Sequence, residues 1–244
     1  MARTREIEYA VDGARYVGYL AEPEPSDPAV DRSLPGVLVA HEGPGISDHA
    51  RTRARRLADE LGYVAFALDY IGDGQALTDR QQIMAKLGPL RESPERTRAL
   101  GHAGLAILLA QPQVDPNRIA AIGFCFGGTM ALELARDGVD LRAVVGFHSG
   151  LATTRPGDAA NITARVLVCI GADDPLIPPE QRAAFEAEMR AGGVDWQMNL
   201  YGGAVHSFTN PDADRAGMAG IAYDQPTDER SWQAMRELFD SVFR

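Results

Sequence analysis

The chain has 244 residues, of which 45% are hydrophobic and 24% charged, a size and composition that suit one α/β domain with a substantial core. Its formal net charge of −10 argues against a nucleic-acid or acidic-membrane partner, because phosphate binding needs clustered positive charge. The N-terminal segment lacks an apolar signal-peptide core, and no apolar stretch approaches the roughly 20 residues of a membrane helix, so we expect a cytoplasmic protein without a membrane partner.

The first predicted element is a β-hairpin, with strand-like residues 7–10 and 16–21 around an Asp12-Gly13 turn. A connector rich in proline, aspartate and serine follows over residues 23–35. Five short, continuous apolar runs come next, each typical of a parallel strand that is buried on both faces. They cover residues 36–40, 63–68, 119–124, 143–147 and 166–170.

Segments of helical period alternate with these runs, at residues 50–61, 98–110, 129–136 and 179–191. A late strand is predicted at residues 195–201 and a closing amphipathic helix at 228–243, whereas residues 72–93 give no clear pattern. Alternating strands and helices indicate a doubly wound, mostly parallel sheet with an N-terminal antiparallel hairpin and helices on both faces. We see no linker or repeat, so a single α/β domain is expected over residues 1–244.

Polar and reactive side chains follow several of the apolar runs. In open parallel sheets, ligands bind outside the C-terminal ends of the strands, so these residues are expected to share one edge. They are His41, Glu42, Asp69, Cys125, His148, Ser149, Asp173 and Asp174. Polar residues also end strands for ordinary reasons, and the shared edge is therefore the more informative observation.

The most specific motif is the sequence GFCFGG at residues 123–128, between an apolar run and a helical pattern. A strand, a sharp glycine-flanked turn and a helix form the context in which an α/β-hydrolase presents its nucleophile. The occupant of the turn is usually serine and here is Cys125. The helix N-terminus would favour its thiolate form. The alternative is a tight turn with a buried cysteine.

A thiol nucleophile needs a base, and an imidazole oriented by a carboxylate suits that role. In α/β-hydrolases the chain order is nucleophile, acid, histidine. That order favours His206, in a glycine-rich loop, over His148, which precedes any acid at the expected strand end. The acid is Asp173 or Asp174, and the latter is favoured because Pro175 restricts its backbone to an extended conformation.

Acyl transfer also requires donors for a developing oxyanion, usually two backbone N–H groups. One is expected from the residue after the nucleophile, Phe126, and the other from the glycine-rich loop after the early strand, where Gly43 is the candidate. His41 in that loop is interpreted as structural.

Four motifs together resemble the dienelactone hydrolase family, in order and spacing through nearly the whole chain. They are GFCFGG at 123–128, His41-Glu42, the segment Gly171 to Pro175, and His206-Ser207-Phe208. The resemblance implies a Cys125–His206–Asp174 triad. It also implies that Glu42 lies beside the thiol and controls its protonation before substrate arrives.

The chain departs from the family at the substrate carboxylate. Dienelactone hydrolases hold that group with arginines, one of them four residues after the catalytic histidine, where this chain has the uncharged Asn210. Arg80 or Arg91 is the candidate match to a second family arginine, and the alternative is that both belong to a solvated helix face. A neutral lactone or a small ester is therefore at least as good a substrate. The candidate substrate-binding residues are Tyr70, Arg80, Arg91, His148, Ser149, Phe208 and Asn210.

The sequence thus predicts a cysteine-dependent hydrolase of a small carboxylic ester or lactone, acting through a thioester acyl-enzyme. Two alternatives stay open: a non-hydrolytic thiol sensor or electrophile-binding protein, and an acyltransferase to an acceptor other than water. We expect no cofactor and no metal, a small-molecule substrate as the partner, and a monomer or small homo-oligomer.

Overall fold

A computed structural model of the chain describes residues 1–24 and 33–244. The predicted connector at 23–35 therefore falls largely outside the described residues. The chain divides into two compact units, Met1–Ala121 and Ile122–Arg244. The interpretation of residues 1–244 as one domain stays a prediction.

The first unit combines an antiparallel hairpin with parallel strands and three helices. Its strands are β1 (Arg3–Val11), β2 (Ala14–Glu22), β3 (Leu34–Ala40) and β4 (Val64–Leu68). The order is β1-β2-β4-β3, with β1–β2 and β2–β4 antiparallel and β3–β4 parallel. The helices are α1 (Asp48–Leu61), α2 (Arg80–Glu92) and α3 (Pro94–Leu109).

The predicted hairpin is confirmed, with Asp12 and Gly13 both at positive φ, as a tight two-residue turn between twisted strands requires. The segment without a clear pattern contains α2, which begins after Asp79, whose side chain accepts a hydrogen bond from the Gln82 N–H. This helix buries only Leu87 and Leu90 and contains Pro89, so it carries little of the apolar periodicity that marks a helix in a sequence.

Strand β5 (Val114–Phe124) begins in the first unit and ends in the second. The second unit continues with strands β6 (Ala143–Phe147), β7 (Arg165–Gly171) and β8 (Trp196–Tyr201) and with helices α4 (Phe126–Arg136), α5 (Pro179–Gly192) and α6 (Gln225–Val242). Short 3₁₀ helices lie at Pro156–Asn161 and Ala213–Ala216. Strands β6, β7 and β8 are mutually parallel, so their carboxyl ends share one edge.

Strands β4 and β6 are buried along their whole length, and β5 and β7 are buried over their carboxyl-terminal six residues, as expected of parallel strands covered on both faces. Side chains with reactive chemistry come directly after the carboxyl ends of these strands: Cys125 after β5, His148 after β6 and Asp174 shortly after β7. The residue order of the second unit thus delivers all three to the edge where an α/β sheet binds its ligand.

Candidate active site

The turn at Cys125 joins the end of β5 to the start of α4. Its backbone has φ 55° and ψ −121°, a conformation that L-residues rarely adopt. Two hydrogen bonds hold it: the Cys125 N–H donates to the Phe147 carbonyl at 3.1 Å, and the Gly128 N–H donates to the Cys125 carbonyl at 3.1 Å. Cys125 is partly exposed, whereas Cys169, the other cysteine, is fully buried. Of the two cysteines, only Cys125 therefore reaches the surface.

Glycines flank this turn because no side chain fits there. A Cβ at Gly123 would lie 2.1 Å from the Gly127 carbonyl oxygen, and one at Gly128 would lie 1.7 Å from the Ser149 Oγ. Both distances are far inside van der Waals contact. The strand and helix on either side of Cys125 can meet only with glycine at these two positions.

Asp174 and His206 form a buried pair at the ends of β7 and β8. The His206 Nδ1 lies 2.8 Å from the Asp174 Oδ2, and both side chains are almost wholly buried. The other carboxylate oxygen, Oδ1, accepts a hydrogen bond from the Leu176 N–H at 2.8 Å. The His206 backbone is held in turn by the segment at 220–222, through bonds to the Gly220 carbonyl and from the Ala222 N–H. The His206 ring, which faces the Asp174 carboxylate, thus belongs to a loop whose backbone is held by hydrogen bonds.

Burial and two neighbouring groups set the pKa of His206. Burial is the largest effect and lowers the pKa, because it disfavours the charged ring. The negative charge on the Cys125 sulfur and the hydrogen bond to Asp174 oppose it and, with further contributions from the same two groups, raise the pKa to about 10. The buried Nε2 has no hydrogen-bond partner of regular geometry, so the sulfur acts mainly through its charge. Together these effects favour the protonated, imidazolium form of His206.

The remaining candidates of the second unit lie mostly inside the protein. His148, Ser149 and Phe208 are fully buried, and Ser149 donates its hydroxyl proton to the Phe147 carbonyl at 3.3 Å. Asn210 is half-buried, and its Oδ1 accepts a hydrogen bond from the Asp212 N–H at 3.0 Å. A role for these four residues in contacting substrate stays a prediction.

In the first unit, Glu42 is buried beside residues of α1. Its Oε2 lies 3.8 Å from the His49 Nδ1, and the His49 Nε2 accepts a hydrogen bond from the Arg53 Nε at 3.2 Å. A Cβ at Gly43 would lie 2.8 Å from the Leu87 Cδ1. The proposed roles of Glu42 in nucleophile control and of Gly43 in oxyanion binding stay predictions, as does the matching role of the Phe126 N–H.

Tyr70 and His41 form a buried stack, with ring centroids 3.8 Å apart and the Tyr70 hydroxyl donating to the His41 carbonyl at 2.6 Å. Burial lowers the pKa of His41 to about 4, so this ring is neutral at ordinary pH. The ring stack and the Tyr70 hydroxyl bond thus hold the loop that follows β3. Arg80 and Arg91 lie exposed on α2, and their contact with substrate stays a prediction.

The sequence did not predict which side chains contact the candidate residues. The i, i+4 spacing of His49 and Arg53 on a helix was the available signal for the group beside Glu42. Nothing in the sequence indicated that Thr209 hydrogen-bonds to His148 at 2.8 Å.

Within residues 1–24 and 33–244, no group of three His, Cys, Asp or Glu side chains is arranged to hold a metal ion. In the same ranges no helix combines the length and the apolar character that crossing a membrane requires.

Comparison with known proteins identifies the family. The family model described as "Dienelactone hydrolase family" matches residues 17–243, nearly the whole chain. The chain belongs to the dienelactone hydrolase family. Membership also confirms the predicted fold class, an α/β-hydrolase fold with a mostly parallel sheet and an N-terminal antiparallel hairpin, and the assignment as an ester or lactone hydrolase.

Three similar proteins illustrate the match. The structure of m3DLH is 50% identical in sequence and has a TM-score of 0.92. The match covers 99% of this chain and 98% of that one. The structure of the dienelactone hydrolase-like promiscuous phosphotriesterase P91, from metagenomic libraries, is 42% identical with a TM-score of 0.91 and the same coverage. A protein of Salmonella typhimurium named "Putative carboxymethylenebutenolidase" is 30% identical in sequence. The match covers 91% of this chain and 81% of the Salmonella protein.

Proposed function

We propose that this protein is a cysteine-dependent hydrolase of a small carboxylic ester or lactone, with Cys125 as nucleophile, His206 as general acid and base, and Asp174 as its orienting carboxylate. The observation that supports this most is the 2.8 Å hydrogen bond between the His206 Nδ1 and the Asp174 Oδ2, on a ring whose pKa the Cys125 charge raises. A thiol sensor needs neither the histidine nor the aspartate.

In the first half of the reaction, the Cys125 thiolate forms a bond to the carbonyl carbon, and the carbonyl electron pair moves to oxygen. The N–H groups of Phe126 and Gly43 are the proposed donors to that oxyanion. The His206 imidazolium then gives its proton to the leaving alkoxide oxygen as the C–O bond breaks. A thioester and an alcohol result, or a tethered alcohol when the substrate is a lactone.

In the second half, neutral His206 takes a proton from water, whose oxygen attacks the thioester carbonyl. Collapse of the new tetrahedral intermediate breaks the C–S bond, releases the carboxylic acid and returns the thiolate–imidazolium pair. Asp174 stabilises the imidazolium in both halves and does not itself need to change protonation.

The substrate proposed here is neutral. Asn210 stands where family members place a carboxylate-binding arginine, and its Oδ1 is already engaged by the Asp212 N–H. A carboxylate-bearing lactone would find no bidentate cation at that position. We therefore expect a neutral lactone to have a higher kcat/KM than its carboxylate-bearing analogue.

The experiment compares hydrolysis of p-nitrophenyl acetate and of a neutral lactone by the wild type, Cys125→Ala, His206→Ala and Cys169→Ala. Cys169 is the matched control, because it is the second cysteine and is fully buried. The proposal expects multiple turnovers that survive Cys169→Ala and are lost in the other two variants. Turnover that persists in Cys125→Ala would refute the nucleophile, and a single burst without turnover would favour the thiol sensor.

A second activity is suggested by the 42% identity to P91, which is described as a promiscuous phosphotriesterase. We propose that the same thiolate can attack the phosphorus of an aryl dialkyl phosphate, with departure of the aryloxide. Release of p-nitrophenol from such an ester by the wild type but not by Cys125→Ala would support this. Release at equal rates by both would exclude it.

A further inference from the structure

His148 follows the last residue of β6 and sits in a strained conformation. Its φ is +40°, in the left-handed region that favours glycine, and its side chain is fully buried. Two other non-glycine residues of the second unit share a positive φ, Cys125 and Ser207, the latter next to His206. Strain of this kind persists where the surrounding structure over-determines the backbone conformation. The contacts of His148 therefore hold it in a conformation that glycine would adopt more easily.

Contacts on several sides fix the His148 ring. Its backbone N–H donates to the Cys169 carbonyl at 2.8 Å, which anchors the residue to β7. A 2.8 Å hydrogen bond joins its Nε2 to the Thr209 Oγ1, and Thr209 is itself fully buried. The Phe208 ring packs against it edge to face, with centroids 5.1 Å apart at 83°.

The same ring contacts His206. The two imidazole centroids are 5.1 Å apart with an interplanar angle of 67°, an edge-to-face arrangement. The hydrogen bond to Asp174 restrains the His206 ring at Nδ1. The His148 ring packs against the same imidazole and further limits the side-chain torsions that determine where Nε2 points.

We propose that His148 is a positioning residue, rather than a substrate-contacting one, whose ring is held by Thr209 and in turn limits the torsional freedom of the His206 ring. This inference rests on the proposed function of His206. Thr209 lies three residues beyond His206, so its bond to His148 also ties the loop of the base back to the end of β6. Preorganisation of this kind acts on the transition state, because a proton is transferred only along a well-aligned path.

The test uses Thr209→Val, which keeps the shape of the side chain and removes the hydroxyl, and Thr209→Ser, which keeps the hydroxyl. The matched control is Thr97→Val, since Thr97 is another buried threonine, and its hydroxyl donates to the Leu90 carbonyl at 2.9 Å. His148→Gln is a fourth variant, which retains a polar group near the position of Nε2 but removes the ring. Three readouts are compared: steady-state kinetics, the NMR resonances of the His206 ring, and the alkylation rate of Cys125 by iodoacetamide.

The proposal expects Thr209→Val and His148→Gln to lower kcat by roughly tenfold to a hundredfold with little change in KM. In both variants the His206 resonances shift and Cys125 alkylation slows, whereas Thr209→Ser restores all three readouts. Thr97→Val lowers thermal stability without moving them.

Unchanged kcat and unchanged His206 resonances in Thr209→Val and His148→Gln would overturn the inference. A rise in KM at constant kcat would also overturn it, because that pattern marks a substrate contact. If the wild type hydrolysed no ester or lactone, the proposed function would fail. The NMR and alkylation comparisons would still decide whether His148 positions His206.

Discussion

The carboxylate of Asp174 makes two directed bonds, accepting from the Leu176 N–H through Oδ1 and meeting the His206 Nδ1 through Oδ2, each at 2.8 Å. The first bond holds the carboxylate against its own loop, so the second can orient the imidazole. Pro175, which follows directly in the chain, restricts the same loop further.

Asp174→Asn is expected to lower kcat by roughly a hundredfold to ten-thousandfold, because an amide that donates to Nδ1 leaves the proton on Nε2, where the base must accept one. The Asn Oδ1 can still accept from the Leu176 N–H, so the fold should survive. Kinetics on p-nitrophenyl acetate, with circular dichroism as a check on folding, measure the effect. Asp173→Asn is the matched control, since its exposed side chain is the neighbouring alternative and should keep nearly full activity. Equal losses in the two variants would contradict the assignment.

The charge on Cys125 should be visible in the titration of His206. In the wild type the ring pKa is raised to about 10, and Cys125→Ala removes one of the charges that raise it while burial continues to lower it, so the pKa should fall. Because the folded ring keeps its proton above the ordinary pKa of 6.5, this group stabilises the fold fully below about pH 6.5 and loses that contribution as the pH rises to about 10. NMR of ¹³C-labelled histidine measures the pKa directly. A wild-type His206 pKa near 6.5, or one unaffected by the substitution, would contradict the proposed thiolate–imidazolium pair.

Gly123→Ala and Gly128→Ala are both expected to destabilise the protein by at least about 1–3 kcal/mol, through the overpacking described above. The two variants differ in whether a second substitution can restore their stability. The clash at Gly128 is with the Ser149 side chain, so Gly128→Ala/Ser149→Gly should recover stability, whereas the clash at Gly123 is with backbone and has no such partner. Gly202→Ala serves as the control, since a Cβ there meets nothing within 4 Å. Urea denaturation measures the free energy of unfolding of the four variants. A Gly123→Ala variant as stable as the wild type would contradict this, because the turn at Cys125 would then accommodate a Cβ.

Arg136, at the end of α4, is the largest buried cation of the second unit. It donates to both oxygens of Glu188 at 2.7 and 2.9 Å and to Glu133 at 3.0 Å. Arg136→Met strands two buried carboxylates and should cost about 3–5 kcal/mol of unfolding free energy. Arg190→Ala, which breaks a solvent-exposed pair with Glu186, should cost at most about 1 kcal/mol. Similar changes in the urea midpoints of the two variants would contradict this ranking.

Much of the fold was accessible from the sequence because the parallel strands are short, apolar and buried on both faces. The apolar runs at 63–68 and 143–147 match β4 and β6 to within a residue. Helix α2 escaped prediction for the opposite reason, since it buries few side chains and its proline interrupts the pattern. Periodicity reports burial, and an element with little burial leaves little periodicity.

The position of a candidate residue was predictable where chain order and turn residues determine it. The turn at Cys125 and the loop of His206 are of this kind, although their catalytic roles stay predictions. Contacts between residues distant in the chain were not accessible: His148 and Thr209 are 61 residues apart and meet through tertiary packing alone. The same holds for the 52-residue separation of Arg136 and Glu188.

The most direct test of the account is the covalent intermediate on Cys125. The protein is quenched in acid during turnover of p-nitrophenyl acetate, and its intact mass and peptides are measured by mass spectrometry. We expect one acetyl group, removable by hydroxylamine and mapped to Cys125, with Cys169 unmodified. Continued turnover with no adduct on Cys125, and with full activity in Cys125→Ala, would contradict it.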